Sequence, residues 1–264
     1  MTSSLPRCIV ITGATSGIGH ALALNFAGTG IVLGLIGRDS ARMAEIAGAC
    51  RAKGANVEVA LIDVRDKAGM ADFLIAFDLK NPVDLVIANA GVNIGTAADG
   101  SLENADKAVD LIHINICGVL NAVQPLLPAM CARRSGQIGI VSSLSAFTPL
   151  PDAPAYSASK AALVSYAKAL REKLRGKGVS VNAICPGFVT TPLSRSYRGW
   201  KPFEISAEEA AGRIRRGLAA DRRIIAFPLP LTLVAYSLGL VPEIFGRMCL
   251  KLFRFTVTDQ RQQL

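Results

Sequence analysis

The sequence predicts an α/β domain built on a doubly wound, mostly parallel sheet, with a helical extension at its C-terminal end. Three features of the 264-residue chain predict it. Short β-branched runs alternate with longer segments of helical pattern, the runs are apolar along their whole length, and a glycine-rich turn follows the first run directly. Strands that are apolar on both faces, joined by helical crossovers, imply a parallel sheet covered on both sides. Right-handed crossovers then make double winding the economical arrangement.

Taken in order, the predicted strands are CIVIT (8–12), IVLGLIG (31–37), VEVALID (57–63), DLVIANA (84–90), QIGIVSS (137–143) and VSVNAIC (179–185). Helical patterns fill the intervals at 18–28, 40–53, 67–77, 105–131 and 155–175. No repeat, low-complexity tract or linker divides the chain. Beyond residue 190, Ser206 followed three residues on by Glu209 is a capping box that opens a helix over 206–219. RRIIAFP (222–228) suits a short last strand.

Composition narrows the chemistry. The chain is 51% apolar and 19% charged, with a formal charge of +9 and two histidines, His20 and His113. So few imidazoles argue against a histidine-rich metal site or a Ser-His-Asp hydrolase. The six cysteines, Cys8, Cys50, Cys117, Cys131, Cys185 and Cys249, form no CxxC pair and read as reduced residues of a cytoplasmic protein. The start MTSSLPRCIV has no long apolar signal region.

The turn after the first strand reads TGATSGIG, Thr12 to Gly19. Gly13, Gly17 and Gly19 permit a tight turn and a close backbone approach to phosphate, and the helix that follows offers free N–H groups and a favourable dipole. After a first strand and before an apolar helix, this pattern points to a dinucleotide, with Ser16 and Ile18 among the residues in contact with it. The second strand ends Ile36-Gly37-Arg38-Asp39, with glycine where an NAD-binding chain would carry an acid. A guanidinium at Arg38 can pair with the 2′-phosphate of NADP. The alternative leaves Arg38 as a surface arginine, with Asp39 on the ribose or capping the next helix.

In YSASK (156–160), Tyr156 and Lys160 lie one helical turn apart on the same face. A phenol titrates near ~10, too high for efficient base chemistry at neutral pH. A neighbouring ammonium favours the phenolate and is expected to lower that value.

With these, ANAG (88–91), Asn115 within HIN, VSS (141–143) and PGFVTT (186–191) complete a set that resembles the short-chain dehydrogenase/reductase family, in its single-domain, Rossmann-like branch. The motifs stand in family order over roughly residues 7–192. The resemblance implies an NADP(H)-dependent oxidoreductase that interconverts a carbonyl and its alcohol, with NAD(H) the less favoured cofactor. Tyr156 would transfer the proton, Lys160 would tune it and hold the nicotinamide ribose, and Ser143 would bind the substrate oxygen. Ser142 and Ser145 compete for that last role, although strand alternation turns Ser142 the other way. Asn115 would support a water relay to Lys160; it also suits an ordinary polar residue facing buried backbone. Asn89, Ala90 and Gly91 would border the adenosine ribose, Asp63 and Val64 the adenine, and Pro186, Gly187, Val189 and Thr191 the nicotinamide. His113 is expected to be structural. Leu144-Ser145-Ala146-Phe147 replaces the family's small Ala-Gly pair, which puts the shape of the substrate loop in doubt. Homodimers or homotetramers are common in the family.

Residues 1–228 are thus expected to hold cofactor and chemistry, and 229–264 to be an apolar, basic extension. Residues 224–242 include nineteen consecutive uncharged positions. Pro228 and Pro230 break that run, and the eleven residues from Leu231 to Val241 are too short for ~30 Å of bilayer at ~1.5 Å per residue. Two readings remain. In one, the segment lies on a membrane surface, with Arg247, Lys251 and Arg254 meeting anionic headgroups. In the other it forms a lid or subunit contact. Both favour a hydrophobic substrate. No aromatic-basic module suggests nucleic acid. Two alternatives stay open: a ketoacyl-carrier reductase whose acidic partner meets the basic surface, and a non-catalytic NADP(H)-binding redox sensor.

Overall fold

The computed structural model describes residues 6–95, 101–195, 197–238 and 255–257. Strands β1 (Cys8–Thr12), β2 (Val32–Gly37), β3 (Asn56–Leu61), β4 (Leu85–Ala88), β5 (Gly136–Val141) and β6 (Val179–Pro186) fall where the apolar runs predict them. Asp63, Asn89, Ala90 and Ser143 were expected inside strand ends; they lie just past them, where the chain is free to turn toward a ligand. Between the strands run helices α1 (Gly17–Phe26), α2 (Ser40–Ala52) and α3 (Lys67–Lys80). Asp39 caps α2 by accepting from the Arg42 N–H at 3.0 Å, and Asp66 caps α3 by accepting from the Gly69 N–H at 3.0 Å.

The crossover from β4 to β5 is not one regular helix. It runs as α4 (Ala105–Ile112), a π turn over His113–Cys117, α5 (Gly118–Val123), a 3₁₀ turn over Gln124–Leu126, and α6 (Leu127–Ala132). In the π turn the Gly118 N–H reaches back to the His113 carbonyl, and Pro125 and Pro128 interrupt the bonding further on. Then α7 (Pro154–Lys173) leads from β5 to β6.

The second half adds β7 (Val189–Thr190), α8 (Pro192–Arg195), β8 (Tyr197–Gly199) and β9 (Ile205–Ser206). After them come α9 (Ala207–Ala219), β10 (Ile224–Phe227), α10 (Leu229–Leu238) and β11 (Phe255–Val257). Half of the capping box forms: the Ser206 hydroxyl accepts from the Glu209 N–H at 3.1 Å, while the Glu209 carboxylate turns to Arg213. The short last strand expected at 222–228 forms as β10 and pairs parallel with β6. A cis peptide precedes Pro228, and α10 starts at the next residue. Its ten residues span ~15 Å, half a bilayer core. Arg247, Lys251, Arg254 and Cys249 lie outside the described residues.

The sheet has seven strands in the order β10-β6-β5-β4-β1-β2-β3, and every pairing is parallel. Strand order reverses between β1 and β4, which opens a crevice at their C-terminal ends. Side-chain alternation divides the core. Ile9 and Ile11 face α1, α2 and α9, together with Leu22, Met43 and Ile214. Cys8 and Val10 face the other layer, with Phe77, Met130 and Leu163. The five described cysteines are free, and Cys8, Cys50 and Cys185 are buried.

One buried ion pair joins the crossover helices to β4. Asp78 is 8% exposed; its carboxylate accepts from Arg133 Nη1 and from the Val83 N–H, both at 2.8 Å, while Arg133 Nη2 donates to the Val83 carbonyl at 2.7 Å. Substituting Arg133→Met strands a buried carboxylate. A destabilisation of roughly 3–5 kcal/mol is expected, read from chemical denaturation at pH 7. A loss below ~1 kcal/mol would show that water reaches Asp78 readily.

Candidate active site

One cavity of about 350 Å³ lies over the crevice where strand order reverses. Its floor begins at the glycine turn. Gly13 and Gly17 adopt φ of +66° and +55°, a conformation that side chains strain. A Cβ on Gly13 would stand 2.9 Å from the Ala90 Cα. The turn is pinned to β4 from both sides. The Thr12 hydroxyl accepts from the Asn89 and Ala90 N–H groups at 3.0 Å, and Asn89 Nδ2 donates to the Thr12 and Gly13 carbonyls at 3.0 and 3.3 Å.

The cavity gathers most residues expected to hold a dinucleotide: Gly13, Ser16, Gly17 and Ile18 from the turn, Arg38, Asp63 and Val64 at one end, and Asn89, Ala90 and Gly91 along the floor. Pro186, Gly187, Val189 and Thr191 line the other end. Gly19 does not line it. A Cβ there would meet the Gly13 carbonyl oxygen, so this glycine serves helix-to-turn packing. The Asn89 side chain is likewise spent on fixing the turn.

At the adenosine end, Gly37 could not carry a carboxylate without displacement, because a Cβ would fall 2.8 Å from Thr15 Cγ2. Asp39 is occupied as the α2 cap. Arg38 lies at the rim, 45% exposed in its side chain, with Nη1 3.4 Å from Asp63 Oδ2. Burial works to raise the Asp63 carboxyl, but hydrogen bonds from Arg65 and the charges of Arg65 and Arg38 outweigh it and hold the group below its ordinary value. The acid therefore stays ionised and keeps both guanidinium groups beside the rim. These residues fit a dinucleotide: a cradle that side chains would fill, a helix N-terminus facing it, and a cation at the ribose position.

At the other end Ser143, Tyr156 and Lys160 line the same cavity. Ser143 follows β5; its hydroxyl accepts from the Ser145 N–H at 3.2 Å and lies on the Tyr156 side of the cavity, where it favours the ionised phenol. Ser142 turns away as alternation predicts; buried, it donates to the Lys160 carbonyl at 2.7 Å and so ties α7 to β5. Lys160 is 5% exposed; its ammonium donates to the Val141 carbonyl at 3.1 Å and stands 5.5 Å from the centre of the Tyr156 ring.

The electrostatics differ from the sequence-based expectation. The ammonium does not lower the phenol here. Burial pushes Tyr156 up to about 12, and the polar influence of Ser143 only moderates the rise. Burial also pushes Lys160 down to about 8, against a weaker opposing influence of Cys185. Each group is driven toward its neutral form, because desolvation outweighs a cation aimed at the ring face.

Asn115 does not line the cavity. Fully buried in the π turn, it accepts from the Val92 N–H at 2.8 Å and donates to the Val92 carbonyl and the Ser159 hydroxyl, both at 3.0 Å. It braces the wall beside Lys160 through these bonds to buried backbone and to Ser159. His113 is exposed on the same turn, away from the cavity.

The sequence does not mark several other lining residues. Leu231, Val234 and Ala235 of α10 form one wall, with Leu144, Leu150, Phe188 and Tyr197 nearby. The Thr148 hydroxyl donates to the Ala235 carbonyl at 2.8 Å, and Phe147 stacks on Tyr236 with ring centres 4.5 Å apart. Phe147, part of the departure from the family's small pair, thus anchors α10. The opposite face of α10 exposes Leu229 and Leu233. Apolar character alone could not tell a cavity wall from a surface.

A fold of this strand order with a phenol and an ammonium beside a glycine cradle defines a nucleotide-dependent oxidoreductase. The short chain dehydrogenase family model matches residues 7–202, and the chain belongs to that family. An oxidoreductase of Myxococcus xanthus, itself uncharacterised, is 32% identical over 238 residues, covering 90% of this chain and 93% of the relative. Among solved structures, a 3-ketoacyl-ACP reductase from Sinorhizobium meliloti superposes with a TM-score of 0.75 at 27% identity, over 86% of this chain and 99% of the other. An actinorhodin polyketide ketoreductase with NADPH gives 0.75 at 26%, over 88% and 99%.

Lys160 leaves a measurable trace in stability. Its folded value of about 8 lies below the ordinary 10.5, so between them the unfolded chain holds a proton the folded chain has released. Stability attributable to this group therefore rises with pH across that window, and below it the fold bears the whole cost of a buried charge. Lys160→Met is expected to raise stability at pH 7 by on the order of 1–3 kcal/mol, and to flatten the pH dependence from 8 to 10 in denaturant titrations. An unchanged slope would mean that the ammonium is solvated.

Proposed function

We propose that the protein is an NADP(H)-dependent oxidoreductase that interconverts a ketone or aldehyde and its alcohol on an apolar substrate. The observation that carries this reading is the shared cavity: the glycine cradle, the Ser143-Tyr156-Lys160 set and the apolar wall of α10 meet in one space. Bound NADP(H) supplies or accepts the hydride. The protein's own residues do the rest. Ser143 donates a hydrogen bond to the substrate oxygen and favours the charge that develops there. Tyr156 passes its hydroxyl proton to that oxygen in reduction and recovers it in oxidation. A phenol pushed up to about 12 carries its proton throughout neutral pH, so the proton is in place for a substrate oxygen that becomes more basic as hydride arrives. Lys160, its charge half retained near pH 8, holds the ribose side of the cavity and counters the phenolate left after transfer. Leu144, Leu150, Leu231 and Val234 exclude water and accept an alkyl or acyl chain.

A 3-ketoacyl thioester on a carrier is a narrower form of the same reading. The chain's likeness to a 3-ketoacyl-ACP reductase and a polyketide ketoreductase favours it, as does a +9 charge that suits an acidic carrier.

The test is NADPH consumption against a panel of alkyl ketones, aldehydes and 3-ketoacyl thioesters. Tyr156→Phe is expected to lower kcat by roughly 10²–10⁴-fold while NADPH still binds, since the phenol acts in proton transfer. Tight NADPH binding with no turnover of any carbonyl, and no effect of Tyr156→Phe, would favour a redox sensor instead. Arg38→Leu is expected to weaken NADPH binding roughly 10- to 100-fold, the worth of a charge-assisted bond, and to leave NADH binding unchanged. Equal losses for the two cofactors would remove the 2′-phosphate role of Arg38.

A further inference from the structure

The N-terminus of α7 lacks the usual local cap. Its flanking residue is Ala153, which has no side-chain acceptor, and Pro154 in the first helical position has no N–H. The next backbone donor is Ala155, directly before Tyr156. It is satisfied from a distance of 52 residues by the Glu103 carboxylate, whose Oε2 accepts the Ala155 N–H at 3.1 Å. The other oxygen, Oε1, is buried and has no hydrogen-bond partner among the described residues. Burial pushes this carboxyl above its ordinary value, against the one hydrogen bond that lowers it. A carboxylate in so poorly solvated a place costs free energy, which the amide it accepts from and the positive end of a twenty-residue helix offset.

We propose that Glu103 is a positioning residue for Tyr156, acting as the N-terminal cap of the catalytic helix in trans. Glu103 precedes Asn104, whose side chain caps α4 by accepting from the Lys107 N–H at 3.0 Å. The two neighbours thus cap two helices, so the start of α4 and the start of α7 are set by one short piece of chain. With Oε2 on Ala155, the first turn of α7 is fixed against the segment leading out of β4, and the Tyr156 backbone one residue on is fixed with it. A helix start free to fray would let the phenol drift from Ser143. A displacement near 1 Å at a reacting group can lower a rate by about 10²-fold. This role rests on Tyr156 being the proton-transfer group.

The experiment compares the full-length wild type with Glu103→Gln, which keeps an acceptor oxygen, and Glu103→Met, which keeps the bulk and loses it. Three quantities are read: kcat for carbonyl reduction, the Kd of NADPH, and hydrogen exchange of the amides at the start of α7. Glu103→Met is expected to lower kcat by about tenfold or more, with NADPH affinity changed less than about twofold, and to speed exchange at Ala155. Glu103→Gln is expected to restore both kcat and protection. Wild-type kcat and protection in Glu103→Met would overturn the proposal. So would a Glu103→Gln variant as impaired as Glu103→Met, which would assign the effect to charge and not to capping. If Glu103→Met does not fold, Glu103→Ala takes its place with the same readouts: a lowered kcat with faster exchange at Ala155 supports the role, and wild-type kcat and protection overturn it. A Tyr156→Phe variant as active as wild type would instead overturn the proton-transfer reading and, with it, this role. If Tyr156→Phe is impaired and Glu103→Met is not, the capping role alone falls.

Discussion

A lysine ammonium kept away from water is the constraint around which this site is built. Lys160 Nζ rests on the Val141 carbonyl at the end of β5, and the residues around it act as its walls. Ser142 holds the Lys160 backbone. Asn115 fastens the Val92 segment to Ser159. Gly91 leaves the space itself: a Cβ there would stand 3.1 Å from Asn115 Oδ1 and 3.4 Å from Lys160 Nζ. A strand end, a π turn and a helix have to meet within a few ångströms for that ammonium to be housed. The π turn answers to this demand, because it rotates Asn115 inward at the cost of regular helix bonding.

The same burial sets the proton chemistry. Desolvation moves phenol and ammonium in opposite directions, so Tyr156 stays protonated over the whole physiological range while Lys160 titrates close to it. A cation facing the ring of a phenol acts weakly on its hydroxyl, and the polar influence of Ser143 is what opposes burial. Both groups are thereby biased toward their neutral forms.

The two ends of the cavity are governed by different physics. At the first, backbone geometry and fixed charge dominate: left-handed glycines, the Thr12–Asn89 clasp, and Arg38 and Arg65 gathered by Asp63. At the second, apolar contact dominates. There α10 is attached through the Thr148 bond and the Phe147–Tyr236 stack, so the identity of the loop after Ser143 decides how the wall sits.

The order of elements, the glycine cradle, the missing acid at Gly37 and the Tyr156-Lys160 pair were all readable from the chain. Each rests on spacing within a few residues, where backbone periodicity fixes the relation between side chains. Even there, Gly19 and Asn89 have a part that spacing alone did not show: both fasten the turn. What lay beyond such reading depended on contacts distant in sequence. The break in the long crossover, the placing of α10 against the cavity and the reach of Glu103 to Ala155 are of this kind. So is the direction in which Tyr156 and Lys160 shift. Local pattern carries the identity and spacing of charges, but it carries nothing of how much water the surrounding fold leaves them, and at this site the water removed decides the outcome.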